Sequence, residues 1–338
     1  MCAYAFFVIK HKNAYFAIIQ QLYYTKKAYC LYISCQKHFT SLTDAYSGVK
    51  IKTVCRYGGD SMCQVIAVVN QKGGVAKTTS VYNIGYALSV MHKRVLLIDY
   101  DSQASLTVAV GMELDDTVEK NIGNVLTGTC ELGDVAVSLA SSENVTLDII
   151  PSNNNITEKL GTKLDLQGLL NGLNSIIETA RTCYDYVLID CPPTVADMFI
   201  SALGVCDSVI APVTSGDYLS YVSLHNILED LYALQEERGA ERPQFLGVII
   251  TRWKKNIANH KELYKHISSE YRVLGTVCET DAFMSAIGQG VPVALVRPST
   301  KQSRTAAQEY NKIAEFVVQS CEYSKGRRKT AGKKLIHR

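Results

Sequence analysis

Three short segments of this 338-residue chain carry side chains whose types and spacing suit phosphate chemistry. The first is Asn70-Gln71-Lys72-Gly73-Gly74-Val75-Ala76-Lys77-Thr78-Thr79. Adjacent glycines let a loop turn its backbone N–H groups toward an anion, a lysine neutralises phosphate charge, and a hydroxyl holds a divalent cation. Lys77 and Thr78 stand where the last two are needed. The second segment, Arg94-Val95-Leu96-Leu97-Ile98-Asp99-Tyr100-Asp101-Ser102-Gln103, is an apolar run that ends in two acids. The third, Tyr184-Asp185-Tyr186-Val187-Leu188-Ile189-Asp190-Cys191-Pro192-Pro193, repeats that logic. Phosphoryl transfer needs charge neutralisation and an aligned nucleophile more than covalent catalysis, so a metal, a lysine and one positioned carboxylate suffice. Cys191 has no histidine beside it in the motif and is read as a packing residue.

These side chains need rigid elements to bring them together. Val65-Ile66-Ala67-Val68-Val69 reads as a buried strand entering the glycine-rich loop, and residues 80–90 read as a helix with Ile84, Ala87 and Leu88 on one face. Apolar runs of this kind suit parallel strands covered on both faces. In a doubly wound sheet ligands bind beyond the carboxyl ends of the strands, so strands ending at Asn70, Asp99 and Asp190 are expected to converge on one site. Further strands at 207–214 and 245–251 and a helix at 224–236 complete an alternating pattern. The expected fold is a single α/β domain with a doubly wound, mostly parallel sheet flanked by helices.

The standard phosphate-loop pattern G-x-x-x-x-G-K-[ST] fails at Gln71 and Ala76. The loop matches instead the deviant form K-G-G-x-G-K-[ST], whose extra lysine is Lys72. Together with the D-x-D-x-Q run at 99–103, the D-x-P-P run at 190–193, Asn83-Ile84-Gly85 and Ile149-Ile150-Pro151-Ser152-Asn153, it resembles the ParA/MinD superfamily of deviant Walker A P-loop ATPases, and within it the ParA/Soj partitioning ATPases, over residues 62–319. The resemblance implies an ATP site built from Lys72, Gly73, Gly74, Val75, Ala76, Lys77, Thr78 and Thr79. It implies Mg²⁺ held by Thr78 and Asp190, and a water oriented by Asp101. It also implies a homodimer formed around ATP, in which Lys72 reaches the partner's nucleotide. Slow hydrolysis stimulated by a ParB-like protein, nonspecific DNA as the surface held by the dimer, and a cytoplasmic, nucleoid-associated location follow from the same resemblance. Ala76 departs from the family glycine, adding a Cβ to a position where positive φ is unfavourable.

Arg252, Lys254 and Lys255 follow the expected strand end at Thr251, with Lys261 and Lys265 beyond, and form a cluster compatible with phosphate contacts. Where the family often carries another DNA-contacting arginine, this chain has Asp281, Ala282, Phe283 and Met284. The lone tryptophan, Trp253, is expected to bury against the sheet. The net charge of +3 hides segregation: residues from 325 onward hold seven cations and no acid. Residues 323–338 are therefore read as a basic tail and 62–322 as the ATPase domain. Residues 1–61 lack sustained periodicity, and Gly58-Gly59-Asp60 is encodable as a ribosome-binding sequence before Met62. Translation is expected to start there, leaving 1–61 untranslated or as a poorly ordered extension. Eleven scattered cysteines without C-x-x-C spacing suit a reducing compartment, and lysines interrupt every apolar run long enough to span a bilayer. Two rival readings stand beside the partitioning ATPase: a MinD-like membrane-cycling ATPase, and a nonhydrolysing adaptor that uses ATP to fix its dimer.

Overall fold

The computed structural model describes residues 63–335 except 118, 143–144, 155, 157–163, 194–196 and 240–241, with side chains described as far as residue 321 apart from 141 and 142. The expectations for residues 1–61 and Met62 lie outside the described residues. The chain alternates strand and helix. In order it forms β1 (Gln64–Val68), α1 (Lys77–Val90), β2 (Arg94–Asp99), α2 (Ser105–Ala109), α3 (Ile122–Leu126), α4 (Leu132–Val135), β3 (Val137–Ser142) and β4 (Val145–Ile150). Then follow α5 (Leu166–Cys183), β5 (Tyr186–Asp190), α6 (Asp197–Val205), β6 (Ser208–Thr214), α7 (Tyr218–Arg238), β7 (Gln244–Trp253), α8 (Ala258–Glu270), β8 (Val273–Cys278), α9 (Ala282–Gly288) and α10 (Lys301–Leu335).

The strands make one eight-stranded sheet in the order β3-β4-β2-β5-β1-β6-β7-β8. Every pairing is parallel except that of β3 with β4. Alternation along the strands explains why both faces are dry. Ile66 and Val68 of β1, Val95 and Leu97 of β2 and Leu188 of β5 join side chains of α1 and α10 in one core. Their neighbours Val65, Ala67, Leu96, Ile98, Val187 and Ile189 point the other way and are equally buried. Each fully buried aliphatic side chain of this kind contributes about 1.5–3 kcal/mol relative to exposure. Helix α1 lies close against β2. At Gly85 in α1 a Cβ would lie 2.5 Å from Leu97 Cδ2, so this helix face is bare where it meets the sheet.

The topology puts β2, β5 and β1 side by side, so Asp99 pairs in register with Asp190, and Asp190 with Val68. The strand order reverses at β1, with β5 on one side and β6 on the other, which is where the crevice expected from the sequence opens. Two boundaries differ from expectation. Helix α1 begins at Lys77 rather than Ser80, because the phosphate loop passes directly into it. Strand β7 runs past Thr251 to Trp253, since β8 continues to pair with it as far as Cys278. Helix α10 continues through to Leu335, so secondary structure shows no break at residue 322.

Candidate active site

The phosphate loop is fixed from below by Asn70. Its buried side chain donates to Pro212 O at 2.8 Å and accepts from the Lys72 amide at 2.9 Å, tying the loop to the end of β6. Thr251 at the end of β7 adds a second tie, its hydroxyl donating to Val75 O at 3.2 Å. Between these anchors Gly73 and Gly74 are exposed, with open space where a Cβ would stand, and Gly74 takes φ 75°. Ala76 also takes a left-handed conformation, φ 69° and ψ 36°, as N-cap of α1. The sequence expectation that alanine avoids this region is overridden by the loop, whose turn into α1 is held by Ser80 N donating to Ala76 O at 2.9 Å. Among the described residues four non-glycine residues have positive φ, and Ala76 and Arg252 both line the cleft beyond the loop. Strain of this sort gathers where surroundings over-determine a site.

That cleft has a volume of about 1180 Å³ and is lined by Gly73, Gly74, Ala76–Thr79, Asp101, Gln103, Pro193, Thr251, Arg252 and residues 277–285. On its floor Thr78 Oγ1 donates to Asp190 Oδ2 at 2.7 Å. The other carboxylate oxygen, Asp190 Oδ1, is buried and has no hydrogen-bond partner. Burial drives the Asp190 carboxyl well above its ordinary value, and the neighbouring Asp99 carboxylate adds to this. Lys77, 7% exposed, is pushed the opposite way by burial, while Asp190 draws it back. Its ammonium donates to Lys72 O at 3.3 Å. A buried hydroxyl–carboxylate pair with one oxygen unclaimed, beside a second acid, is a donor set that suits a hard divalent cation with oxygen ligands.

Asp99 and Asp101 divide their work. Asp99 is fully buried and raised to about 6 by burial. Its Oδ2 accepts from the Thr107 amide and hydroxyl, both at 2.7 Å, and its Oδ1 from the Asp101 amide at 3.3 Å. It therefore supports the loop. Asp101 faces the cleft, its Oδ1 accepting from Gln103 N at 3.0 Å. The Ser152 hydroxyl donates to Asp101 O at 2.6 Å, which gives a structural reason for the Pro151-Ser152-Asn153 run. Cys191 is fully buried and burial holds its thiol far above its usual range, as a packing residue requires.

Lys72 lies outside this floor. Its ammonium pairs with Asp217, the residue that caps α7 by accepting from Leu219 N at 3.1 Å. The three cations expected to form a basic patch separate. Arg252 lines the nucleotide-sized cleft, Lys254 is ion-paired with Glu279, and Lys255 is exposed. Trp253 departs from its expectation. It is half-buried and stacks outward on α8, its ring 5.5 Å from Tyr264 and 6.1 Å from His260, because the last residues of β7 overrun the covered part of the sheet. Sequence reasoning missed Asp217, Glu279 and His260. Asp217 had one local signal, an Asp just before a helical run.

A family model described as an AAA domain matches residues 63–242. The sporulation initiation inhibitor protein Soj of Bacillus subtilis is 30% identical over 263 residues, covering 76% of this chain and 99% of Soj. The chromosome partitioning protein ParA of Caulobacter vibrioides is 28% identical, covering 75% of this chain and 94% of ParA. The fold matches that of McdA from Cyanothece, solved as an ATP complex, with a TM-score of 0.63 and 22% identity over 76% of this chain and 96% of McdA. The family model spans more than half of the chain, Soj is matched over nearly its whole length, and the deviant phosphate loop agrees with both: the chain belongs to the ParA/MinD family of partitioning ATPases.

Proposed function

We propose that this chain is an ATP-hydrolysing switch that dimerises on ATP, holds duplex DNA nonspecifically in that state, and moves or positions DNA with a ParB-like partner. The observation that carries the nucleotide part is the unclaimed Asp190 Oδ1 beside the Thr78 hydroxyl and the buried Lys77. Thr78 and Asp190 would hold Mg²⁺, which supplies neutralisation of phosphate charge. The amides of residues 73–79 cradle the phosphates, and the α1 N-terminus adds its positive end. Lys77 neutralises charge between the outer phosphates. Asp101, held at the cleft by the Gln103 amide and the Ser152 hydroxyl, orients the attacking water. Lys72 sits at the surface with its side chain 32% exposed, and its release from Asp217 frees it to reach a partner's nucleotide.

The DNA part rests on the relatives Soj and ParA and on Lys255, Lys261 and Lys265, which are exposed around the start of α8. Phosphate contacts require such cations but no base readout. Among the described residues no helix is long and apolar enough to cross a membrane. The test is binding of nonspecific duplex DNA with ATP, with ADP and without nucleotide, at two salt concentrations. ATP-dependent binding that weakens with salt is expected. Equal binding in all three states would sink the DNA-holding switch and leave only the nucleotide site.

A further inference from the structure

His260, in the first turn of α8, touches two loops that the nucleotide reading treats separately. One runs from β6 into α7 and carries Ser215, Gly216 and Asp217, the partner of Lys72. The other leaves β7 and carries Arg252 and Lys254. Ser215 bridges them: its amide donates to Thr251 O at 2.9 Å and its hydroxyl to Arg252 O at 2.9 Å. His260 Nδ1 lies 2.6 Å from the Ser215 hydroxyl, and the Lys254 amide donates to the same Nδ1 at 3.3 Å. Gly216, at φ 75°, leaves room for the ring, since a Cβ there would lie 2.7 Å from His260 Cδ2 and 2.8 Å from Nε2.

Counting protons makes this junction two-state. A serine hydroxyl has one hydrogen, and Nδ1 is either a donor or an acceptor. With Nδ1 bare, it accepts from both Ser215 and the Lys254 amide, and Arg252 O gives up the hydroxyl. With Nδ1 carrying hydrogen, it donates to Ser215, the hydroxyl passes its own hydrogen to Arg252 O, and the Lys254 amide is released. Either arrangement satisfies the buried hydroxyl, but only one holds the Lys254 backbone.

We propose that His260 is a positioning residue which, through Ser215, couples the loop holding Lys72 to the backbone that presents Lys254 and Lys255. When Lys72 leaves Asp217, the shift of that loop moves Ser215, and the proton arrangement at His260 resets the basic loop. The inference rests on the nucleotide reading but not on DNA as the bound surface.

The test is amide hydrogen exchange on the full chain, with and without ATP and Mg²⁺, in the parent, His260→Ala, His260→Asn and Ser215→Ala. In the parent, ATP changes exchange in both 214–219 and 254–257. In His260→Ala the amides of 254–257 exchange about tenfold faster without nucleotide, as loss of their anchor requires, and no longer respond to ATP. In Ser215→Ala the response to ATP is confined to 214–219. His260→Asn, whose amide oxygen stands where a bare Nδ1 would, restores slow exchange at 254–257. All four proteins keep the parent's ATP affinity. If 254–257 respond to ATP in His260→Ala as in the parent, or if His260→Asn behaves as His260→Ala, the coupling is wrong. Duplex DNA titrated into the same ATP-bound samples separates the two claims: a parent that ignores DNA overturns the DNA reading while the exchange pattern still decides the role of His260.

Discussion

Replacing Ala76 by glycine should stabilise the nucleotide-free protein, although most changes at a phosphate loop do the reverse. Ala76 is held at φ 69°, and a left-handed residue with a Cβ costs about 1–2 kcal/mol. Glycine removes that clash but widens the unfolded ensemble, which returns about 0.4–1 kcal/mol. The net gain is about 0.5–1 kcal/mol, or a rise in Tm of about 1–3 °C for a chain of this size. The reciprocal change isolates the cause. Gly74 has φ 75° and open space around its missing Cβ, so Gly74→Ala meets no neighbour and should cost a net of about 0.5–1 kcal/mol, backbone strain less the narrowing of the unfolded ensemble. Thermal denaturation without nucleotide reads both. If Ala76→Gly lowers Tm while Gly74→Ala leaves it unchanged, left-handed strain does not operate in this loop and the reasoning fails.

Lys77→Ala should reduce ATP affinity by at least about a hundredfold, because it removes the buried cation facing Asp190 and leaves that acid with less to balance it; titration with a fluorescent ATP analogue measures it. Glu279→Gln should free Lys254 from its ion pair, strengthen ATP-dependent DNA binding and steepen its log–log salt dependence by about one. An unchanged slope would remove Lys254 from the DNA surface. Burial, with Glu229 adding repulsion, lifts Asp230 to about 7. The folded carboxyl then keeps a proton that the unfolded chain gives up between pH ~4 and ~7, so the parent loses stability as pH rises across that window. Asp230→Asn should therefore exceed the parent in stability at pH 8, by about 1 kcal/mol after solvent screening, and match it at pH 4. An advantage that is the same at both values would point to packing instead.

The fold was readable because its evidence is local. Val65–Val69, the run to Asp99 and the run to Asp190 are each contiguous, and parallel strands covered on both faces need no partner to be recognised. The meeting of Thr78 with Asp190 was readable for a related reason: they are 112 residues apart, but Thr78 follows the loop that leaves β1 and Asp190 ends β5, two strands that lie side by side in the sheet. What stayed hidden depends on pairings that no local pattern encodes. Lys72 and Asp217 are 145 residues apart, and the ion pair of Lys254 with Glu279 needs the paired ends of β7 and β8. A count of cations between 252 and 265 could not show that one side chain turns into the cleft and another is neutralised. That alanine at 76 nonetheless takes its unfavourable conformation was hidden, because propensity describes a residue alone whereas the anchors at Asn70 and Thr251 fix the loop regardless.

The proposed switch is an ATP-driven dimer whose turnover depends on Asp101. It is tested most directly by sedimentation velocity and phosphate release on the parent and Asp101→Ala, each with ATP and Mg²⁺, with ADP, and without nucleotide. Both proteins should be monomers without ATP; with it, the parent should show slow turnover and a transient dimer, and Asp101→Ala a persistent ATP-bound dimer without phosphate release. Phosphate release at the parent rate by Asp101→Ala, or a parent that stays monomeric when saturated with ATP, would contradict it.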